Sequence, residues 1–167
     1  YFPKQDLVNI RENIAAELPA DSRAGTYVFV GAKLFADSAE IGQLLAFVAA
    51  GNTAFISSKT VPAKLMSRLY EPACGQTKWR NYKQRLDTGV EVSLLRPATG
   101  RPVSLHYAKQ NKPEPYQWSY IDQAFFCDFA PQQVLGYLNG NLVNFAEFPH
   151  GAGRFFLHTT PITFSNY

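Results

Sequence analysis

Two short apolar runs, bounded by glycine and separated by one amphipathic segment, constrain the fold of this chain most strongly. Residues 26–30 lie between Gly25 and Gly31, and residues 53–57 follow Gly51. Continuous apolar runs are typical of strands that are buried on both faces, as in a parallel sheet. A parallel pair requires a crossover connection, which the intervening segment can supply. The pattern therefore predicts a strand–helix–strand unit.

The crossover segment is predicted as a helix over residues 38–50. Its apolar residues recur at helical spacing: Ile41, Leu44, Leu45 and Val48. Asp37 and Glu40 have the spacing of an acidic capping box, and Gly51 is placed to end the helix. Two further helices are predicted, one over residues 6–18 with Asp6 as its cap and one beginning near Pro62.

The second half of the chain has a different pattern. Residues 90–94 and 103–107 alternate apolar with polar side chains, which favours antiparallel strands. Aromatic segments at 116–120 and 125–129 also resemble strands. Asn139-Gly140 predicts a hairpin turn between residues 134–137 and 142–148, and residues 154–160 form the last predicted strand. We therefore expect a single α/β domain over residues 1–167, with a parallel sheet and flanking helices followed by an antiparallel, hairpin-rich C-terminal half.

Composition excludes several classes of function. The chain has 167 residues, a formal net charge of +3 and 17% charged residues, with lysine and arginine scattered. No basic run suggests a nucleic-acid partner, and no apolar segment approaches the roughly 20 residues that span a bilayer. Cys74 and Cys127 are too far apart in sequence for a typical zinc motif. Two free thiols are the simpler interpretation, whereas a disulfide would suggest an oxidising compartment.

The first candidate site lies where the two parallel strands end. Ligands of open α/β sheets bind beyond the carboxyl ends of the strands. The side chains predicted there are Lys33, Ser57, Ser58, Lys59 and Thr60. They could form a crevice for a small anionic ligand, assisted by helix N-termini, or they could be ordinary capping hydroxyls and solvated lysines. Neither a GxGxxG motif nor a Walker loop is present, so no cofactor is predicted.

A second candidate group consists of Glu147, His150 and His158. Two histidines and a carboxylate can bind a metal ion or act as acid and base, but they can equally be the polar side chains of a hairpin. Their spacing is not that of a helical metal motif, so no metal site is predicted. The sequence also contains no nucleophile elbow, and we assign no catalytic residue.

Three segments together resemble a known family. Gly25-Thr26-Tyr27-Val28-Phe29-Val30-Gly31, Gly51-Asn52-Thr53-Ala54-Phe55-Ile56 and the ending Gly151-Ala152-Gly153 to His158-Thr159-Thr160-Pro161 are similar to a domain-of-unknown-function family of bacterial membrane-anchored proteins. That family is distantly similar to class I glutamine-amidotransferase-like domains. The resemblance implies a flavodoxin-like core, flanking membrane segments outside this fragment and an extracytoplasmic, periplasmic location. The elbow cysteine and His-x-Glu pair of the active enzymes have no counterpart here.

These observations lead to three functional hypotheses. The first is a non-catalytic domain of a membrane-anchored bacterial protein, which binds either a small anionic ligand or another membrane-associated protein. The second is a hydrolase or transferase of amidotransferase-like descent, in which Ser57, Ser58, Lys59, Glu147 and a histidine meet in one pocket. The third is a structural assembly domain, which a long exposed strand edge in the antiparallel half would favour. We interpret both chain ends as cuts within a longer protein.

Overall fold

The computed structural model describes residues 7–11, 13–19, 24–70, 83–95, 103–108, 115–128 and 131–164. Its helices are α1 (Ile14–Glu17), α2 (Ser38–Ala49) and α3 (Ala63–Leu69), with two short 3₁₀ helices at Gln123–Phe125 and Pro161–Phe164. Its strands are β1 (Thr26–Lys33), β2 (Thr53–Thr60), β3 (Lys83–Asp87), β4 (Gly89–Leu94), β5 (Val103–Ala108), β6 (Tyr116–Tyr120), β7 (Gln133–Leu138), β8 (Leu142–His150) and β9 (Gly153–His158).

One mixed sheet of seven strands organises the molecule, in the order β1-β2-β9-β8-β7-β4-β5. β1, β2 and β9 are parallel, and the remaining neighbours pair antiparallel. β3 and β6 form a separate antiparallel pair. The predicted α/β class is confirmed, as is the β1–α2–β2 unit. The third parallel strand, β9, comes from the far end of the chain and inserts beside β2.

The three α-helices pack on one face of the sheet, which we call the helix face. Side chains of α1, α2 and α3 join one apolar core with alternate residues of the parallel strands. The strand residues that form this core include Tyr27, Ala54, Ile56, Phe155 and Leu157. Successive side chains of a strand point to opposite faces, so the residues between them lie on the other face. We call that second face the open face.

The open face is covered only in part by the described residues. Trp118 of β6 packs there against Val90, Val92 and Leu138. Beside β1, by contrast, Val28 is 60% exposed and Val30 is 47% exposed. The expectation that the first apolar run is buried on both faces is therefore wrong, because the 3₁₀ helix at Pro161–Phe164, which lies beside β1, leaves both valines largely exposed.

Helix α2 begins as the sequence predicts. The Asp37 carboxylate accepts hydrogen bonds from the backbone N–H groups of Ala39 and Glu40, at 2.8 and 2.9 Å. The Glu40 carboxylate accepts from the N–H of Asp37, which completes the capping box. Its other oxygen accepts from the N–H of Ile14 at 3.1 Å, so the same side chain ties α1 to α2.

Two predicted elements differ in the structure. The first helix was expected over residues 6–18 but covers Ile14–Glu17, because the Asn13 side chain accepts from the N–H of Ala15 and caps the helix there. Leu7, a residue of its predicted apolar stripe, is 74% exposed. The aromatic segment expected as a strand over 125–129 instead begins within a 3₁₀ helix, Gln123–Phe125, where Asp122 accepts from the N–H of Ala124, and residues 126–128 are not in a strand. Residue 129 lies outside the described residues.

The Gly151-Ala152-Gly153 turn packs against the C-terminal end of α2. A Cβ atom at Gly153 would lie 2.1 Å from the Asn52 carbonyl oxygen and 2.2 Å from that of Val48. Gly151 adopts φ +58°, a conformation that favours glycine, and Ala152 donates its N–H to the Ala49 carbonyl. Both glycines are therefore required by the close approach of the β8–β9 turn to α2.

Cys127 is disulfide-bonded. The interpretation of two free thiols is therefore wrong for this residue. The chain has one other cysteine, Cys74, which lies outside the described residues. Within the described ranges, no helix combines the length and the apolar character that a membrane span requires.

Candidate functional site

A cavity of about 600 Å³ lies at the carboxyl ends of β1 and β2. Its lining is mainly apolar, with one charged side chain. The lining residues are Lys33, Leu34, Phe35, Ala36, Thr60, Val61, Pro62, Ala63 and Gln84. Both strands continue three residues beyond their predicted ends, to Lys33 and Thr60, so the cavity is built largely from the residues that follow. Its volume lies within the usual range for small-molecule sites.

Strand alternation separates the five residues of the first candidate site. Lys33 and Thr60 line the cavity on the helix face. Lys59 points to the open face, where its ammonium nitrogen lies 3.7 Å from the centroid of the Tyr116 ring. Burial lowers the pKa of Lys59. The two lysines therefore do not converge on one crevice, and whether Lys33 and Thr60 bind a ligand stays a prediction.

Ser57 and Ser58 are fully buried and are not among the residues that line the cavity. Ser58 stabilises the cavity wall, because its hydroxyl accepts from the N–H of Leu34 at 3.1 Å and donates to the Thr60 carbonyl at 2.7 Å. The Leu34 N–H also donates to that carbonyl at 3.3 Å. These bonds fix the position at which the chain leaves β1.

Lys33 is the charged residue of the described lining. Its ammonium nitrogen lies 4.6 Å from the centroid of the Phe35 ring, which is 76% exposed. Within the described residues, no ion pair joins Lys33 to a carboxylate. The expected help from the α2 N-terminus is absent, because Asp37 already occupies the N–H groups of Ala39 and Glu40. The cavity thus offers one ammonium group and an apolar wall.

A buried polar cluster lies elsewhere, on the open face between β2, β8 and β9. Ser57 Oγ is 2.8 Å from His158 Nδ1, and Thr160 Oγ1 is 2.8 Å from His158 Nε2. Asn144 donates from Nδ2 to Thr160 Oγ1 at 3.1 Å. His158 is only 6% exposed, and burial lowers its pKa to about 4. The imidazole is therefore neutral at physiological pH, and one of its two nitrogens accepts a hydrogen bond.

A serine beside a neutral histidine is the arrangement of a nucleophile and its base. In this cluster, however, Ser57 has no exposed surface, and neither Ser57 nor His158 lines the cavity. The second imidazole nitrogen contacts a threonine hydroxyl instead of a carboxylate. Phe145 and Phe164 pack edge-on against the imidazole ring. The cluster therefore has the geometry of a buried hydrogen-bond network that joins three strands.

The second candidate group does not come together. Glu147 forms an ion pair with Arg154 at 3.0 Å. His150 pairs with Gly153 at one end of β9, whereas His158 lies at the other end, roughly 16 Å away at the usual rise of a strand. His150 packs against the Phe155 ring, and burial lowers its pKa. Across the described ranges, no group of three or more His, Cys, Asp or Glu residues is placed to hold a metal ion.

A smaller cavity of about 250 Å³ lies beside β6 and β8, with Lys83, Tyr120 and Asn141 among its lining residues. Lys83 forms an ion pair with Asp122 at 3.2 Å. Its charge is therefore already partly neutralised, which makes this cavity the weaker candidate for an anion.

Sequence reasoning missed most of the lining of the larger cavity. Leu34 and Phe35 follow β1, and Val61 and Pro62 follow β2. Ligands of α/β sheets bind beyond the carboxyl ends of the strands, so these four residues would have been predicted if the strands had been extended to Lys33 and Thr60. Gln84 comes from β3, and nothing in the local sequence connects it to this cavity.

The chain matches no protein-family model, no curated protein and no solved structure. The family resemblance and the function that it implies therefore remain predictions. The geometry of the site alone supports the functional proposal below.

Proposed function

We propose that this chain is a non-catalytic ligand-binding domain that holds a small amphipathic anion at the carboxyl ends of β1 and β2. The observation that carries the proposal is the cavity of about 600 Å³, which has an apolar wall and one ammonium group. Small-molecule sites are usually concave and mostly apolar, with a few polar groups that fix the ligand's orientation. Lys33 is the group that would do so here.

The combination of apolar side chains and one lysine in the lining determines which kind of ligand fits the cavity. Leu34, Val61 and Pro62 offer apolar surface to a hydrocarbon or aromatic group. Lys33, which has no carboxylate partner among the described residues, attracts a carboxylate or a similar anion. A polyanion such as a nucleotide fits poorly, because Asp37 and Glu40 lie at the adjacent helix N-terminus. One negative charge on an apolar body is the best match.

The proposal keeps the non-catalytic interpretation over the hydrolase or transferase alternative. That alternative requires Ser57, Ser58, Lys59, Glu147 and a histidine to meet in one pocket. Ser57 does meet His158, but it is fully buried, while Lys59 contacts Tyr116 and Glu147 contacts Arg154. The alternative would require an opening in the structure through which a substrate could reach the Ser57 hydroxyl.

We place the domain in a membrane-anchored bacterial protein, outside the cytoplasm, and we derive its parallel strands from a flavodoxin-like ancestor. The disulfide at Cys127 supports the location, because disulfides persist in oxidising compartments and are rare in the cytosol. The parallel trio β1, β2 and β9 supports the ancestry. Membrane anchoring rests on the family resemblance, and the full-length sequence would test it.

Three probes separate the parts of the ligand: octanoate, octanol and acetate. Octanoate carries both the apolar body and the charge, whereas each of the others carries one of them. We expect calorimetric titration to show the tightest binding for octanoate. Lys33→Gln should weaken octanoate binding by about tenfold, the loss of one charge-assisted contact, and should leave octanol binding nearly unchanged.

Lys59→Gln is the matched control, because Lys59 also lies near the carboxyl ends of the parallel strands but points to the open face. It should bind octanoate like the wild type. Equal losses for both variants would place the site elsewhere. Failure of all three probes to bind at millimolar concentration would reject an amphipathic anion as the ligand.

A further inference from the structure

β1 is an edge strand with unusual features. Of the described strands, β1 pairs only with β2. It is eight residues long and contains neither proline nor a charged residue before its final Lys33. Natural edge strands are usually short or protected by prolines, bulges or inward charges, because an open edge recruits other chains. β1 has none of these protections.

The parallel register shows which groups of β1 point away from β2. The Gly25 carbonyl accepts from the N–H of Thr53, which lies on β2. Every second residue after Gly25, beginning with Tyr27, therefore also directs its backbone N–H and C=O groups toward β2. The alternate residues direct one N–H and one C=O each to the free edge. These residues are Thr26, Val28, Val30 and Ala32, and all four side chains are exposed.

The structure points to a partner for this edge: we propose that two copies of the chain associate through β1, antiparallel, about a twofold axis at Phe29. In this register Val28 lies opposite Val30 of the second copy, and Thr26 lies opposite Ala32. Each pair joins two residues whose backbone groups face outward, so every outward N–H meets an outward carbonyl. The result is one continuous sheet across both copies.

Charge and the exposed valines favour this antiparallel pairing over a parallel one. Lys33 is the charged residue of β1, and it lies at the carboxyl end of the strand. Antiparallel pairing places each Lys33 opposite Gly25 of the other copy, whereas parallel pairing would bring both lysines to the same end of the joined strands. Parallel pairing of the same edge would also join the open face of one copy to the helix face of the other, so the exposed valines of the two copies would lie on opposite faces. The antiparallel pair also brings β-branched valines together on the open face, which stabilises cross-strand contacts.

The opposite sheet edge is a weaker candidate. β5 is six residues long, pairs with β4 and carries His106 near its centre. Its exposed Leu105, at 62%, gives a matched control position for a charge introduced at an edge. The two ligand cavities of the proposed dimer lie at opposite ends of the joined strands, so dimerisation and ligand binding can fail independently.

Sedimentation velocity of the 167-residue chain tests the proposal over a concentration series. We expect a monomer–dimer equilibrium. The V28K/V30K variant places lysine opposite lysine in the proposed register and should raise the dimer dissociation constant at least about tenfold. Leu105→Lys should leave the dissociation constant unchanged. Because all three side chains are exposed, each variant should fold, which circular dichroism checks.

The V28E/V30K variant distinguishes the registers. In the antiparallel pair, the carboxylate introduced by V28E would face the ammonium group introduced by V30K in the second copy, so dimerisation should recover. In a parallel pair, the two copies would place these side chains on opposite faces of the sheet, so V28E/V30K should dimerise no better than V28K/V30K. A wild-type chain that remains monomeric at millimolar concentration would overturn the proposal. So would a loss of dimer in Leu105→Lys equal to that in V28K/V30K, or a V28E/V30K variant that fails to recover.

Discussion

The two faces of the sheet use the same strands but are built from different interactions. On the helix face, Ala54, Ile56 and Leu157 are fully buried beneath α2 and its neighbours. On the open face, Phe55 and Phe156 remain partly exposed, and the most deeply buried groups of β2 and β9 are Ser57 and His158. One face is stabilised by apolar packing, and the other by a hydrogen-bond network beneath a partly exposed aromatic layer.

This difference shows why an apolar run is an incomplete guide to burial. The run over residues 26–30 is apolar on both sides, yet only the side of Tyr27 and Phe29 packs into the main core. An apolar side chain can face another chain or solvent as well as a core. The number of buried faces follows from where the helices pack, which a single strand does not encode.

The largest expected effect concerns the turn that packs against α2. Gly153→Ala should lower the free energy of unfolding by at least about 3 kcal/mol, because its Cβ would overlap two backbone carbonyls that cannot move away easily. Gly42→Ala is the control, since a Cβ at this exposed helical position meets nothing within 4 Å. It should stabilise the protein by up to about 1 kcal/mol. Urea unfolding measures both, and equal effects would contradict the tight packing on the helix face.

Adjacent residues of β9 compare the two faces directly. Leu157→Ala removes a fully buried side chain on the helix face and should cost about 2–5 kcal/mol. Phe156→Ala removes a larger but partly exposed side chain on the open face and should cost about 1–2 kcal/mol, since less apolar area returns to water. Unfolding curves in urea would show the order. A greater loss for Phe156→Ala would mean that the open face is covered in solution.

The polar cluster predicts a pH dependence. The folded protein holds His158 neutral with a pKa of about 4, against an ordinary value of 6.5, because of burial. Below pH 6.5 the unfolded chain binds a proton that the folded chain does not, so stability falls as the pH drops toward 4. The loss contributed by this group is on the order of 3 kcal/mol. Above pH 6.5 this contribution is constant.

The free energy of unfolding in urea can be compared between the wild type and His158→Gln from about pH 7.5 to about pH 4.5. Both proteins contain the same carboxylates, so the difference between their pH dependences gives the contribution of His158. The variant should lose less stability on acidification. His150→Gln should retain most of the wild-type dependence, because His150 is less buried and lies apart from the cluster. Identical curves for the wild type and His158→Gln would show that the imidazole is accessible to protons in the folded state.

Local signals predicted the local elements of the fold. The Asp37 and Glu40 capping box, the two apolar strands and the Asn139-Gly140 turn each depend on neighbouring residues, and each occurs in the structure. Both turn residues adopt positive φ, which asparagine and glycine tolerate best. By contrast, residues 6–18 have helical spacing, but among the described residues of this range only Ile14–Glu17 are helical, and Leu7 is exposed.

The arrangement of distant elements could not be predicted in the same way. Ser57 and His158 are separated by 101 residues, and they meet because β9 pairs with β2. No local pattern specifies that pairing. A cavity lies at the strand ends to which the strand-end rule pointed, but the two lysines that were expected to converge there lie on opposite faces of the sheet. Alternation along β2 decides which face each side chain occupies, and the predicted strand ended three residues before the observed one.

The central position of β9 has a consequence for how the chain folds. β9 is the last strand along the described chain, yet it separates the parallel pair β1 and β2 from the antiparallel strands. Contacts between residues so distant in sequence slow folding, because loop closure must precede them. During synthesis, β2 therefore has an unpaired edge until residues 153–158 emerge. We expect truncation before Gly153 to leave two sheet fragments that expose their edges and aggregate, rather than a smaller stable domain.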